Sequence, residues 1–367
     1  MPDPLPPDAL KGLRERIDEL DHKIVELLNA RARIVVDIGK IKHQSGAPVY
    51  APDREKIVLD RIRKANHDAG GPLPDSCLEA IYRELMSGSF ALEKPLRIAF
   101  LGPQGSYSHL ASVKKFGSSV EHVPVTDIAA VFKEVDRGHA DLGLVPIENS
   151  TVGGIIESMD AFLENRSVTI VAEVLIAIHS HLLANCAPEE VKIVYSKSEA
   201  INQCRQWLTA TFPTVERRAV ASSSRAAEMA ANERGAAAVG SSLAAELYNL
   251  KILFQNIEDN PSNVTRFFVI GKQPAKRTGD DKTSIIFTTA HKSGALVDVL
   301  DVFRKYGINL TNIDTRPSQK RNFEYYFFTD MVGHFDDDNV KKALVEAKQH
   351  CLQLATLGSF PRATETL

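Results

Sequence analysis

The chain has few cysteines, no long apolar run and little net charge, and each shortage excludes a class of protein. Cys77, Cys186, Cys204 and Cys351 stand far apart and form no CxxC pair. That spacing argues against a disulfide framework and reads as reduced thiols in a cytoplasmic protein. No apolar stretch reaches the roughly 20 residues needed to span a bilayer, so no membrane partner is expected. A formal net charge of −3 offers no basic surface for nucleic acid. Met1-Pro2-Asp3-Pro4-Leu5-Pro6-Pro7 lacks the basic and apolar regions of a signal peptide and reads as a short disordered lead. His179 and His181 could face one side of a strand as a metal pair, but no third ligand is evident near them, so no metal is expected. The GxGxxG fingerprint is missing too, and no cofactor is expected.

What is present begins with a helix. From Leu10 the apolar positions are Leu13, Ile17, Leu20, Ile24, Leu27, Ile34, Ile38 and Ile41, in steps of three and four that pass through position 31. That is a heptad seam along one helix of about 35 residues, about 50 Å long. A seam of this length without internal caps predicts pairing with another chain. Shorter helices follow, one near Asp53 after Ala51-Pro52 and one from Ser76 to Glu93. They are too short to cover the seam, so an intertwined, all-α dimer is expected. Position 31 is Arg31, a charge that is costly in a seam unless paired. Arg14 and Lys42 flank the seam, Arg54 and Glu55 open the second helix, and Ser89 and Glu93 extend the apolar face of the third. Converging cations imply an internal anion; the alternative is that Arg31 snorkels to the surface.

From Pro95 the pattern changes to alternating strands and helices, which predicts mostly parallel sheets. The strand Leu96–Leu101 runs into Gly102-Pro103-Gln104-Gly105-Ser106-Tyr107-Ser108 and then a helix, a start of the kind that binds anions with backbone N–H groups. Further strands are expected at 141–146, 168–177, 192–195, 215–220 and 236–239, with helices at 199–211 and 223–232. Polar residues gather at Glu148-Asn149-Ser150-Thr151, Gln203, Ser222-Ser223-Ser224 and Asn263-Val264-Thr265-Arg266-Phe267. They predict two lobes and a cleft, though each is also open to reading as turn and cap chemistry. Thr265 and Arg266 place a hydroxyl and a guanidinium at the mouth of an apolar strand, where an anionic small molecule could sit or where they merely cap the edge. After a linker at 274–281 come strand, helix, two strands (308–315 and 323–331), helix and strand, a ferredoxin-like βαββαβ order. Its uncovered edge or face suits pairing with a twin. The tail after Pro361 is expected to be disordered. The strand opened by Thr265 leads into the linker, a candidate route for communication with the last domain.

Leu13-Arg14, Asn29-Ala30-Arg31, Gly39-Lys40-Ile41-Lys42, Asp53-Arg54-Glu55 and Ser89 resemble the all-helical chorismate mutases fused to prephenate dehydratases, with residues 1–93 as the domain. The resemblance implies that Arg31, and Arg14 of the partner chain, hold the carboxylates of chorismate. It implies that Lys42 donates to the ether oxygen and that Glu55 binds the ring hydroxyl, with Ala51, Arg54, Ser89 and Glu93 in the same site. Ala51 stands where members often carry an acid, and Glu93 where some carry Gln. An ionised carboxylate cannot donate to an ether oxygen, so Glu93 is expected to be held protonated by burial, with mutase activity falling as pH rises.

Gly102–Ser108, Val145-Pro146-Ile147-Glu148-Asn149 and Thr265-Arg266-Phe267 resemble prephenate dehydratase, with residues 95–272 as an α/β, two-lobed domain like a periplasmic binding protein. That family removes CO2 and water from prephenate to give phenylpyruvate. The resemblance implies Thr265 at the leaving hydroxyl and Arg266 on a carboxylate. Glu148 is a candidate proton source, and Ser106, Asn149, Gln203 and Phe267 complete the cleft. Residues 282–361 resemble an ACT domain through Gly294-Ala295-Leu296-Val297 and Asp314-Thr315-Arg316-Pro317, the latter departing from the usual Glu-Ser start. This implies L-phenylalanine as an effector bound between two such domains. The expected protein is a bifunctional, phenylalanine-inhibited homodimer or tetramer that acts on chorismate and then prephenate. A ligand-binding sensor, or a dehydratase preferring arogenate, are the competing readings.

Overall fold

The computed structural model describes residues 7–317 and 325–367. The lead at 1–6 and the first two residues of the strand expected at 323–331 lie outside the described residues. Helix α1 runs over Pro7–Ser45, α2 over Pro52–Asp68 and α3 over Asp75–Glu93. The unbroken three-four spacing yields a single helix of 39 residues, and Pro52 opens α2, where a missing N–H costs nothing. Helix α3 covers only part of α1. Leu13, Ile17, Ile24 and Ile41 remain 52%, 56%, 53% and 66% exposed, an apolar stripe left uncovered among the described residues.

Two sheets follow. In the first, the strands lie in the order Glu121–Val125, Arg97–Leu101, Leu142–Asn149, Val264–Gly271 and Thr169–Ala177. The expected parallel pairing holds for the first three only. The strand Val264–Gly271 is antiparallel to both neighbours, because it returns from the other lobe. The second sheet runs Lys251–Phe254, His181–Ala184, Ala236–Gly240, Ile193–Ser196, Glu216–Ala219. The chain crosses between the sheets after Ala177 and again before Val264. The two crossings are tied by the Ile178 N–H donating to the Asn263 carbonyl at 2.8 Å. Thr265 therefore stands where the lobes meet.

The helix expected at 199–211 is two helices, Ser198–Gln203 and Arg205–Thr211. Asp259 caps the second by accepting from the N–H groups of Gln206 and Trp207 at 2.9 and 3.1 Å, a partner that the local sequence does not reveal.

In the C-terminal domain the sheet order is Leu310–Pro317, Tyr325–Val332, Asp281–Thr288, Gln353–Pro361, all antiparallel. Strand alternation sends Ile285 and Phe287 to the two helices Ala295–Lys305 and Asp338–His350. It sends Ile286, Phe328 and Phe360 into the core of the first lobe, against Phe162 and Phe268. The face expected to be free is thus covered by this chain's own dehydratase lobe, and Leu310–Pro317 is left as an edge. The tail is ordered, contrary to expectation. The Leu367 N–H donates to the Leu175 carbonyl at 2.9 Å and the Ala177 N–H to the Leu367 carbonyl at 3.0 Å. The reason is that Thr169–Ala177 ends the first sheet and leaves backbone groups to be paired.

Candidate active sites

Register decides which residues can meet at the lobe junction. Antiparallel pairing sets Thr265 opposite Asn149 and Arg266 opposite Glu148. Successive side chains on a strand point to opposite faces, so Thr265 and Asn149 share one face and Arg266 and Glu148 the other. The contacts follow this division. Asn149 Nδ2 donates to Thr265 Oγ1 at 2.8 Å and to Asn263 Oδ1 at 2.8 Å. Asn149 Oδ1 accepts from the backbone N–H groups of Thr151 and Val152 at 3.0 and 3.2 Å. Those two donors fix which end of the amide faces Thr265. Thr265 Oγ1 is therefore an acceptor toward Asn149, and its own hydrogen is left to donate elsewhere. Asn263, which accepts the second amide hydrogen, opens the same polar motif, though the resemblance assigned it no role.

Arg266 meets carboxylates of its own chain. Its Nε donates to Glu173 Oε2 at 2.8 Å, Nη1 lies 2.5 Å from Asp330 Oδ2, and Glu148 is 3.8 Å away. Strand alternation turns Arg266 and Glu148, the residues expected at a substrate carboxylate and as a proton source, to the face opposite the Thr265 hydroxyl. Phe267 returns to the Thr265 side but is buried with Ile98, Phe100 and Leu144 as core. Ser106 caps the helix Tyr107–Phe116, donating to the Leu101 carbonyl at 3.1 Å and accepting from the His109 N–H at 3.2 Å. The Gln203 backbone carbonyl accepts from the Asp259 N–H at 2.7 Å, which ties that residue to the segment leading to Thr265.

The loop Gly102–Ser108 is held from the second lobe. Ser241 Oγ donates to the Gly105 carbonyl at 3.0 Å, Ser224 to the Gln104 carbonyl, and Tyr107 OH to the His179 carbonyl at 3.2 Å. One amide of this anion-binding candidate is already engaged, since the Gly105 N–H donates to His109 Nδ1 at 3.1 Å. His109 stacks on Phe100 at 4.8 Å, and burial, helped by the nearby His122, pulls its pKa down to about 4. His179 turns to Glu258 at 2.8 Å, while His181 accepts from the Asn256 N–H, so each has a separate partner.

Between α1 and α3 the charged set divides. Arg31 Nη1 donates to Ser89 Oγ at 2.7 Å, and Ser89 donates to the Leu85 carbonyl at 2.7 Å. Lys42 Nζ donates to Glu93 Oε2 and to the Val49 carbonyl, both at 3.0 Å. Gly39 allows this approach, since a Cβ there would lie 3.1 Å from Glu93 Cγ. The Glu93 side chain is nearly buried and is paired with Lys42. Lys42 and Ala51 line a cavity of about 370 Å3 together with Lys272, Gln273 and Lys276. Glu55 lines a different, smaller one, where its Oε2 accepts from Tyr50 OH at 2.9 Å and from Lys115 Nζ at 2.8 Å. The Glu55 carboxylate is thus joined to a lysine of the dehydratase lobe. Arg14 and Arg54 are exposed.

Gly294 caps the helix Ala295–Lys305 in the left-handed region at φ 81°, with Ala295 buried, Leu296 against the core and Val297 exposed. In the second expected effector segment, alternation again splits the residues. Arg316 makes a two-point pair with Asp160 at 2.8 Å, and Asp314 accepts from Asn312 at 3.1 Å, whereas Thr315 and Pro317 are exposed. Asp314 and Arg316 thus face the dehydratase lobe. Among the described residues, no cluster of His, Cys, Asp and Glu suited to a metal is present, and no helix is long and apolar enough to cross a membrane.

Three families match successive segments of the chain. Family models match for chorismate mutase type II over residues 13–94, prephenate dehydratase over 98–275 and the ACT domain over 283–349. The chain is 43% identical over 358 residues to the bifunctional chorismate mutase/prephenate dehydratase of Aquifex aeolicus, covering 97% of this chain and 99% of that one. It is 43% identical over 363 residues to the protein of the same name from Pseudomonas aeruginosa, covering 97% and 98%. A crystal structure of prephenate dehydratase in complex with L-Phe, from Arthrobacter aurescens, is 30% identical, covers 73% of this chain and 90% of that one, and superposes with a TM-score of 0.68. The chain belongs to the family of bifunctional chorismate mutase/prephenate dehydratases.

Proposed function

We propose that the chain converts chorismate to prephenate between α1 and α3, then prephenate to phenylpyruvate at the lobe junction, in both cases without a protein nucleophile. The observation that carries this reading is the Asn149–Thr265 contact, which leaves a buried hydroxyl with a free hydrogen at the meeting of two lobes. Aromatisation drives the second reaction, so the protein has mainly to help hydroxide leave. An alcohol is a weak acid, and Thr265 acts as a hydrogen-bond donor to the departing oxygen, not as a full proton source. In the first reaction, Arg31 holds a carboxylate and Lys42 meets the negative charge that grows on the ether oxygen as its bond breaks. Ser89 and Glu93 hold those two cations in place beforehand.

The domains extend over 1–93, 95–272 and 282–361, the last with a ferredoxin-like order. The protein is cytoplasmic and works at least as a homodimer, in which a second copy covers the exposed stripe of α1 and returns Arg14 to the mutase site. L-Phenylalanine binds at the last domain, near Gly294–Val297 and the free edge carrying Thr315, and inhibits. The experiment is direct. Thr265→Val removes the hydroxyl at nearly constant volume. Loss of phenylpyruvate formation with chorismate consumption intact is the expected result, and unchanged phenylpyruvate formation would defeat the assignment.

A further inference from the structure

Asp330 belongs to the C-terminal sheet, yet its carboxylate ends beside the dehydratase strand. Oδ2 lies 2.5 Å from Arg266 Nη1, and Oδ1 accepts from Ser284. On the other side, Glu173 takes Arg266 Nε at 2.8 Å and Lys282 Nζ at 3.0 Å. Arg266 and Glu173 come from the dehydratase lobe, Lys282 and Asp330 from the C-terminal domain. Both domains thus contribute charges of each sign, with Glu148 of the dehydratase lobe a further acid at 3.8 Å, to a shared interface in which Arg266, Glu173, Asp330 and Ser284 are buried. Burial pulls the pKa of Arg266 down, but Asp330 and Glu173 raise it by more, so the guanidinium stays charged. A buried charge that loses one of its partners is left uncompensated, which makes such a cluster hold its geometry closely. The residue so held is the immediate neighbour of Thr265.

We propose that Asp330 is a positioning residue of the dehydratase site, supplied by the C-terminal domain and acting through Arg266 to fix the strand on which Thr265 stands. This rests on the reading of Thr265 given above. It offers a second connection beside the route expected along residues 274–281, running side chain to side chain across the interface. A ligand that shifts the C-terminal sheet then moves a partner of Arg266 directly.

The test is a double-substitution cycle in the full chain, with dehydratase turnover as the readout and mutase turnover as the control for folding. Asp330→Asn is expected to lower dehydratase kcat by about fivefold while KM for prephenate changes less than about twofold, the scale of coupling within one ion cluster. Asp330→Glu should recover most of the loss. Because Asp330 acts through Arg266, the double variant Asp330→Asn/Arg266→Gln should be no slower than Arg266→Gln alone. An Asp330→Asn enzyme with unchanged kcat, or a double variant in which the two losses multiply, overturns the proposal. Full dehydratase turnover in Thr265→Val would strike the reading of Thr265 instead, and the cycle would still report whether Asp330 acts through Arg266.

Discussion

Asn149 Nδ2 lies 2.8 Å from Thr265 Oγ1, and the backbone donors of Thr151 and Val152 on the other end of the amide leave no freedom in its direction. The pair behaves as a one-way contact in which the amide donates and the hydroxyl accepts. Asn149→Asp reverses that polarity, because an ionised carboxylate has no hydrogen to give. The hydroxyl of Thr265 would then turn its hydrogen toward Asp, away from the leaving group. Dehydratase kcat should fall by about 100-fold, the scale seen when one aligned donor is lost from a transition state. Stopped-flow or continuous assay with prephenate measures it, and Asn149→Asp near wild-type turnover would sink the proposed direction of the bond.

Ser89 has a narrower role. It orients Arg31 through a charge-assisted bond of 2.7 Å. Ser89→Ala should raise KM for chorismate by about tenfold, equivalent to a hydrogen bond to a charged group. Dehydratase turnover, measured with prephenate on the same preparation, should stay unchanged. A fall in both activities would show that the serine supports the fold and not the guanidinium.

The exposed stripe on α1 predicts the assembly. Ile24→Asp places a charge in the middle of the seam, more than half exposed in the isolated chain. The variant should elute as a smaller species in size-exclusion chromatography with light scattering, and should lose mutase activity while keeping dehydratase activity. A variant of unchanged mass and full mutase activity would mean that the stripe is not a subunit interface.

His109 gives a pH dependence with a definite sign. Its pKa falls from 6.5 to about 4 in the folded chain, because burial disfavours the cation. The neutral ring also accepts from the Gly105 N–H, which a protonated Nδ1 could not do. A histidine with a depressed folded pKa contributes stability that is present above its unfolded value and is lost as pH falls through the folded one. Stability should therefore decline between pH 6.5 and 4. In His109→Gln that part of the slope should vanish, as measured by urea unfolding at several pH values. An unchanged slope would place the acid sensitivity elsewhere.

Much of this was legible from local pattern. The three-four steps of α1 gave its length, and the motifs gave the mutase, dehydratase and ACT segments. The faces of the strands were harder. Thr265 and Arg266 are adjacent in sequence and looked like one site, but a strand separates neighbours by half a turn, and only the pairing with Leu142–Asn149 shows where each points. The same alternation places Arg316 against Asp160 while Thr315 is exposed. Long-range partners were hidden as well. Asp259 caps a helix far from it in sequence, and the tail beyond Pro361 is ordered by a sheet edge whose position depends on the whole fold. A signal did exist for the Arg266 cluster: Glu173 and Asp330 are single acids inside otherwise apolar strands, and such residues need a buried cation.

The most direct measurement supplies chorismate to the wild-type chain, to Arg31→Ala and to Thr265→Val, and follows chorismate, prephenate and phenylpyruvate together. Wild type should deliver phenylpyruvate. Arg31→Ala should leave chorismate unconsumed yet still process added prephenate. Thr265→Val should stop at prephenate. If Thr265→Val makes phenylpyruvate at the wild-type rate, or Arg31→Ala consumes chorismate at the wild-type rate, the assignment of two separate sites to these residues is contradicted.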